Sequence, residues 1–119
     1  MIELNKIIYK TLDDLNINAY PIVAPENTLL PFVIYERSLS SEETRDGRSF
    51  NNNIVTIYIL SEDYKETLTL LNSIDNSFIN LKGTVLYSFI HHSKLISVDE
   101  IFESGVYIQK VVYEIKTSA

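Results

Sequence analysis

Apolar residues recur at three- and four-residue intervals near the start of the chain, which is the period of one face of an α-helix. This stripe consists of Leu4, Ile7, Ile8, Leu12 and Leu15. Asp13 and Asp14 follow in the last turn, where negative charge opposes the helix dipole. The pattern therefore predicts a helix over residues 1–16 with a frayed carboxyl end.

Helical spacing returns in the middle of the chain, over residues 62–79. The apolar stripe of this second segment consists of Tyr64, Leu68, Leu71, Ile74 and Phe78. Ser61 stands at the N-cap position and two acidic residues follow it, where they favour the helix dipole. We expect Lys82-Gly83 to end the helix, because glycine readily adopts the backbone conformation that follows a helix.

Two apolar runs between these helices predict long β-strands, at residues 32–39 and 54–60. Both runs are apolar on both faces, so strands of this kind need cover on both sides in a small domain. One face is expected to pack on the helices and the other on a second sheet or a neighbouring subunit. A shorter strand is expected near residues 19–23, inside a proline-containing extended segment.

Three further segments follow the second helix. Residues 84–96 predict a strand with a weak point at His91-His92-Ser93, and residues 97–103 predict a turn or a short irregular link. Residues 106–116 predict the closing strand. Its inward side chains are Tyr107, Val111, Tyr113 and Ile115, and its outward side chains are Lys110, Glu114 and Lys116.

A polar segment, residues 38–53, separates the two long strands, whereas most hairpin loops have two to five residues. It contains a turn-forming Asp46-Gly47 pair and charges of both signs. The segment predicts a long polar hairpin tip, which either has no role or contacts another subunit through its charges.

The order of these elements predicts a single α+β domain over residues 1–119. We expect a mainly antiparallel β-sheet with two helices packed on one side and a long β-hairpin arm. A chain of 119 residues is long enough to bury a core without disulfides or metals.

Composition narrows the possible functions further. Ten basic and sixteen acidic side chains give a net charge of −6, which disfavours nucleic-acid binding through the overall field. The chain has no cysteine, so disulfides and thiolate metal sites are excluded. No apolar run is long enough to cross a bilayer and no signal peptide is apparent. We therefore expect no membrane contact and a place in the cytoplasm, or in something larger assembled there.

The sequence offers little for catalysis or metal binding. His91 and His92 are adjacent on a predicted strand, so their rings point to opposite faces and cannot chelate one metal together. The carboxylate pair Glu42-Glu43 lies in a solvated segment, unlike a catalytic pair, whose pKa values must be separated by burial. No glycine-rich phosphate loop and no serine nucleophile motif are present. We expect no catalytic residue, no metal site, no cofactor and no enzyme activity.

Several segments together resemble the tail-completion, or tail-terminator, family of tailed phages. They are Leu30-Pro31-Phe32-Val33-Ile34-Tyr35, Thr44-Arg45-Asp46-Gly47, Val55-Thr56-Ile57-Tyr58-Ile59, Asp63-Tyr64-Lys65-Glu66-Thr67 and the closing strand with its alternating aromatics. The resemblance covers nearly the whole chain in order. It implies a structural virion protein, assembled in the bacterial host, that forms a six-membered ring capping the tail tube and joining it to the head connector.

In such a ring the partners would be copies of the same chain, the tail tube protein and the head connector protein. DNA would pass through the lumen without specific binding, and an acidic wall would avoid holding it. The contacts to a neighbouring subunit or to the tube are predicted at Arg37, Glu42, Glu43, Arg45, Asp46 and Arg48. The alternatives are a head–tail connector or neck protein, and a small peptide- or ligand-binding module with a concave apolar pocket.

Overall fold

The computed structural model describes residues 2–43, 47, 49–85 and 88–118, and within these it has two helices and six strands. In chain order the elements are α1 (Ile2–Asp14), β1 (Ala19–Pro21), β2 (Phe32–Glu43), β3 (Ser49–Ser61), α2 (Tyr64–Ile79), β4 (Gly83–Val85), β5 (Ser88–Glu103) and β6 (Val106–Ser118). The predicted α+β class is confirmed, as are both helices and the short strand after α1.

The six strands form one mixed sheet in the order β1-β2-β3-β6-β5-β4, which curves into a half-barrel. Among the described strands, β1 pairs with β2 in parallel and all other neighbours are antiparallel. The four central strands are long, from 12 to 16 residues, and the flanking β1 and β4 have three residues each. The two ends of each long strand are therefore far apart, and they form two distant ends of the sheet.

The core lies between the helices and one face of the sheet. Its largest contributions are Leu4, Ile7, Ile8 and Leu12 from α1, Ile74 and Phe78 from α2, and Val33, Tyr35, Val55, Ile57, Ile59, Val111, Tyr113 and Ile115 from the strands. The ring of Phe78 stacks on that of Tyr113, with centroids 5.1 Å apart. The Tyr113 hydroxyl donates a 2.7 Å hydrogen bond to Asp75 Oδ1, so this buried polar group is satisfied.

The carboxyl end of α1 and the amino end of α2 differ from the prediction. The carboxyl end of α1 is closed by backbone hydrogen bonds with Asn16 in a left-handed conformation (φ 59°), rather than frayed. Asp63, not Ser61, is the N-cap of α2, and its side chain accepts a 3.0 Å bond from the Lys65 amide. Ser61 lies two residues earlier, where its hydroxyl accepts from the Asp63 amide and donates to Glu66.

The predicted irregular link at residues 97–103 is wrong, because β5 continues as a strand to Glu103. The hairpin turns instead at Ser104-Gly105, where both residues have positive φ (52° and 78°), as a two-residue hairpin requires. The predicted weak point at His91 corresponds to a register shift between Ile90 and His92, and a second shift falls between Leu95 and Ser97.

Most of the predicted hairpin loop at residues 38–53 is also strand. The ladder of β2 and β3 runs from Phe32 opposite Leu60 to Glu43 opposite Ser49. Since β6 accompanies β3 as far as Phe50, little of the described hairpin extends past its neighbour, and the protruding arm is not confirmed. The polar residues are accommodated by pairing: the buried Asn53 amide donates to the Ile115 carbonyl at 3.0 Å.

Candidate assembly surface

No described helix packs on the face of the sheet opposite α1 and α2, and Ile22 from the loop after β1 lies against one end of it. We refer to it as the open face. The strand register places on it Ile34 and Glu36 of β2, Ile54, Thr56, Tyr58 and Leu60 of β3, and Ile108, Lys110, Val112, Glu114 and Lys116 of β6. The contrast between the two faces is clear within β3, where Ile57 is fully buried and Ile54 is 37% exposed.

One end of the open face is apolar. Ile34, Tyr58, Leu60 and Ile108 line a shallow groove of about 320 Å³, together with Ile22 from the loop after β1. Ile22 is 75% exposed, which is a high exposure for so large an apolar side chain. A groove of this composition is the kind of surface that becomes the core of a protein interface.

One hydrogen bond crosses the rim of the groove. The Tyr58 hydroxyl donates to Glu36 Oε1 at 3.2 Å. Partial burial raises the pKa of Tyr58, and the neighbouring carboxylate raises it further, so the hydroxyl keeps its proton. The groove therefore presents apolar surface with one fixed polar pair at its edge.

The part of the open face formed by β5 and β6 carries paired charges. Asp99 of β5 lies directly opposite Lys110, and Lys94 lies directly opposite Glu114. His92 Nε2 is 3.2 Å from Glu114 Oε1. Opposite charges at cross-strand positions largely neutralise each other, so this part of the face resembles the polar rim of an interface.

The free edge of β5 is a poor site for adding a further strand. Within the described residues β4 covers β5 only at Ser88–Ile90, and β1 covers β2 only at Val33–Tyr35. The uncovered edge of β5 contains both register shifts, and its side chains include Asp99, Glu100 and Glu103. Bulges and charges of this kind discourage edge-to-edge pairing, so contacts through the open face or through the ends of the sheet are more favourable.

The six residues predicted to contact another subunit are only partly described. Arg37 lies on the helix side of β2, opposite Val55, and its Nε donates to Asn5 Oδ1 of α1 at 3.2 Å. Glu42 and Glu43 are the last residues of β2, opposite Phe50 and Ser49. The other three, Arg45, Asp46 and Arg48, lie outside the described residues. Their role in a subunit contact remains a prediction.

The residues of the apolar groove were not singled out by sequence reasoning. The available signal was the apolar character of both faces of the long strands, which implied a second covered surface without locating it. Ile22 was expected to lie in the short strand near residues 19–23, and nothing in the sequence indicated that its side chain would reach the open face, because that contact depends on the tertiary structure.

The described residues show no arrangement suited to metal binding. None of their His, Asp and Glu side chains form a group of three that could hold an ion. His91 Nε2 lies 2.9 Å from the Ser118 hydroxyl, and His92 is engaged with Glu114, so the two histidines have separate partners. No helix of the described chain is long and apolar enough to cross a membrane.

The sequence matches no protein-family model and no curated protein. The fold is similar to that of a chain in the virion of the native gene transfer agent (GTA) particle, with a TM-score of 0.76. The superposition covers 94% of this chain and 92% of that chain, at 6% sequence identity. At so low an identity the likeness shows a shared fold, and it extends over nearly the whole of both chains.

Proposed function

We propose that this protein is a structural subunit of a phage-like virion, and specifically a tail terminator that forms a ring on the tail tube and joins it to the head connector. The observation that carries the proposal is the near-complete structural similarity to a chain of the GTA virion. The resemblance of the sequence segments to tail-terminator proteins supports the more specific role.

The surfaces of the molecule suit assembly. A closed ring of identical subunits needs two unlike surfaces on each subunit, so that one binds the other on the neighbour. The hairpin end of β2 and β3, with its serines, asparagines and charges, supplies a polar surface at one end of the long strands. The apolar groove of the open face, with Ile22 and Leu60, supplies a separate apolar surface for a further subunit or partner contact. Copies of this chain, the tail tube protein and the head connector protein are the proposed partners.

The same proposal assigns no reaction and no cofactor to the protein. Binding of other virion proteins needs buried contact area and complementary charges rather than groups with shifted pKa values in a cleft. DNA would pass the ring without specific binding, since the chain carries six more acidic than basic side chains (16 against 10).

Native mass measurements across a wide concentration range, combined with electron microscopy of any large species, test this function. Six-membered rings, alone or on added tail tubes, are the expected result. A chain that forms no ring and does not bind the end of a tail tube contradicts the proposal. Binding to a purified connector but not to tubes would instead indicate a head–tail connector or neck protein.

The apolar groove also favours a second candidate function, a small peptide- or ligand-binding module. Its walls, which include Ile34 and Ile108, have the concave apolar character of such sites, and the Tyr58–Glu36 pair offers a polar contact at the rim. This alternative predicts a monomer at every concentration and binding of apolar peptides in a titration. Ring formation that buries the groove would exclude it.

A further inference from the structure

One end of the sheet carries three aromatic side chains around a carboxylate. The ring centroids of Phe102 and Tyr107 lie 4.6 Å apart, and those of Tyr64 and Tyr107 lie 5.5 Å apart. With Glu100 these rings line a cavity of about 330 Å³. Phe102 is 62% exposed and Tyr64 is 41% exposed, so the aromatic surface is open to a partner. We refer to Tyr64, Glu100, Phe102 and Tyr107 as the socket.

The carboxylate of the socket is fixed by hydrogen bonds. Gln109, which is 1% exposed, donates from Nε2 to Glu100 Oε2 at 3.1 Å and is also within 3.3 Å of the Thr67 hydroxyl. The Tyr64 hydroxyl donates a second bond to Glu100. The bonds from Tyr64 and Gln109 lower the pKa of Glu100, so the carboxylate is ionised at neutral pH. Its two oxygens still have acceptor positions for a further donor.

Aromatic faces beside a fixed carboxylate suit one kind of ligand. A cation gains from the negative faces of the rings and from the carboxylate together. The guanidinium of arginine fits better than the ammonium of lysine, because it is planar, stacks on aromatic rings and donates two parallel hydrogen bonds to a carboxylate. An anion would be repelled by Glu100, and a purely apolar ligand would leave its charge without a partner.

The sequence has arginine at three positions, Arg37, Arg45 and Arg48. Arg37 donates to Asn5 within the same molecule, so Arg45 and Arg48, in the segment that connects Glu43 to Ser49, are the remaining candidates. The socket lies at the opposite end of β3 from this segment, since Tyr107 is paired with Ser61. The 13 residues of β3 extend about 40 Å, whereas five connecting residues span at most about 18 Å. An arginine of this segment therefore cannot reach the socket of its own molecule.

We propose that the socket binds an arginine of residues 44–48 from a second copy of this chain. Neighbouring subunits then contact each other end to end, with the polar hairpin of one in the aromatic socket of the next. Such a contact joins two unlike surfaces, as a ring requires. The inference rests on the proposed function in so far as both need self-association.

Cross-linking tests the contact directly, because the natural chain has no cysteine. Thr44→Cys, which keeps both arginines, is made in one chain and Ser104→Cys, in the exposed turn beside the socket, in another, and the mixture is treated with a short bis-maleimide. A link between positions 44 and 104 of different chains, in large excess over a control pair with Thr69→Cys on the exposed face of α2, is the expected result. No excess over the control overturns the socket contact.

An exchange of charges tests the chemistry. Glu100→Arg in one chain, and Arg45→Glu with Arg48→Glu in another, should each abolish self-association, whereas an equimolar mixture of the two should restore it. Glu26→Arg, an exposed residue outside the socket, is the matched control for net charge and should assemble like the natural chain. An unchanged urea midpoint for each variant establishes that folding is intact.

The outcomes separate this inference from the ring. Rings of the natural chain without the cross-link and without rescue in the mixture overturn the socket and leave the ring standing. Cross-linked dimers that never close into rings support the socket and contradict the ring. A chain that neither assembles nor cross-links contradicts both.

Discussion

The two faces of β3 should respond differently to the same substitution. Ile57 points to the helices and is fully buried, whereas Ile54 points to the open face and is 37% exposed. Both are isoleucines in the middle of one strand, so Ile57→Ala and Ile54→Ala remove the same atoms from the same backbone environment. The pair therefore measures how well each face is packed in the free subunit and in the assembly.

The expected magnitudes follow from burial. At about 0.8 kcal/mol for each buried CH₂ group, the atoms lost from Ile57 account for about 2.4 kcal/mol. The cavity left in the core raises the total loss of unfolding free energy to about 3–5 kcal/mol. Ile54 is already partly exposed and leaves no closed cavity, so its loss in the free subunit is about 1.5 kcal/mol.

On assembly, Ile54→Ala should have the larger effect of the two substitutions. If the open face is covered in the ring, the exposed third of Ile54 becomes buried and contributes about 0.9 kcal/mol per contact, which is about a fivefold change in the dissociation constant of each contact. Ile57→Ala should leave that constant unchanged under conditions in which the chain remains folded. Urea unfolding of the free subunit and the concentration dependence of native mass measure the two quantities.

Two results would refute this reasoning. Equal destabilisation of the free subunit by both substitutions would mean that the open face is packed as tightly as the core, contrary to the exposure of Ile54. An Ile54→Ala chain that assembles at the same concentration as the natural chain would mean that the open face is not the covered surface.

Three further predictions concern the interior and the charge of the molecule. Tyr113→Phe should lower the unfolding free energy by about 1.5 kcal/mol, because it removes the bond to the half-buried Asp75, and urea unfolding measures this loss. Burial, and secondarily Asp75, raises the pKa of Tyr113 in the folded chain above its unfolded value. The contribution of Tyr113 to the unfolding free energy is therefore complete below about pH 10 and is lost as the pH rises further. Tyr113→Phe should flatten this alkaline decline of stability, and an unchanged decline would contradict the reasoning. Asn53→Ala should cost about 1–3 kcal/mol, because the Ile115 carbonyl loses the buried amide donor, while Asn51→Ala, at a half-buried position on the same strand, should cost less in the same assay. In particles that contain the proposed ring, replacing acidic residues on the wall of its lumen with lysine should slow DNA ejection, and ejection at the natural rate would contradict the acidic-wall hypothesis.

Periodicity alone was sufficient to predict the helices and the side of the closing strand that faces the core. The stripes of α1 and α2 and the alternation of Val111, Tyr113 and Ile115 are local patterns that each element must satisfy to bury one face. The α+β class followed from their order. The apolar character of both strand faces, which is also a property of the sequence, predicted that both faces need cover, from the helices on one side and from a second sheet or a neighbouring subunit on the other.

Boundaries within polar segments depended on the tertiary structure. The segment at residues 38–53 and the acidic segment at residues 97–103 have no apolar alternation strong enough to predict a strand. Residues 38–43, 49–53 and 97–103 are nevertheless strand, because they pair with neighbouring strands of the sheet. The N-cap of α2 moved from Ser61 to Asp63 for a similar reason, since Ser61 is the last residue of β3 and its hydroxyl bonds to the first turn.

The candidate surfaces show the same division. The sequence by itself determined which residues are apolar, aromatic or charged, and so predicted that a second surface of the sheet needs cover. Only the tertiary structure decided that Ile22 joins Leu60 and Ile108 in one groove, and that Tyr64 and Glu100 meet Tyr107 in one socket. These residues are far apart in the chain, and their proximity results from strand register and curvature, which no local pattern specifies.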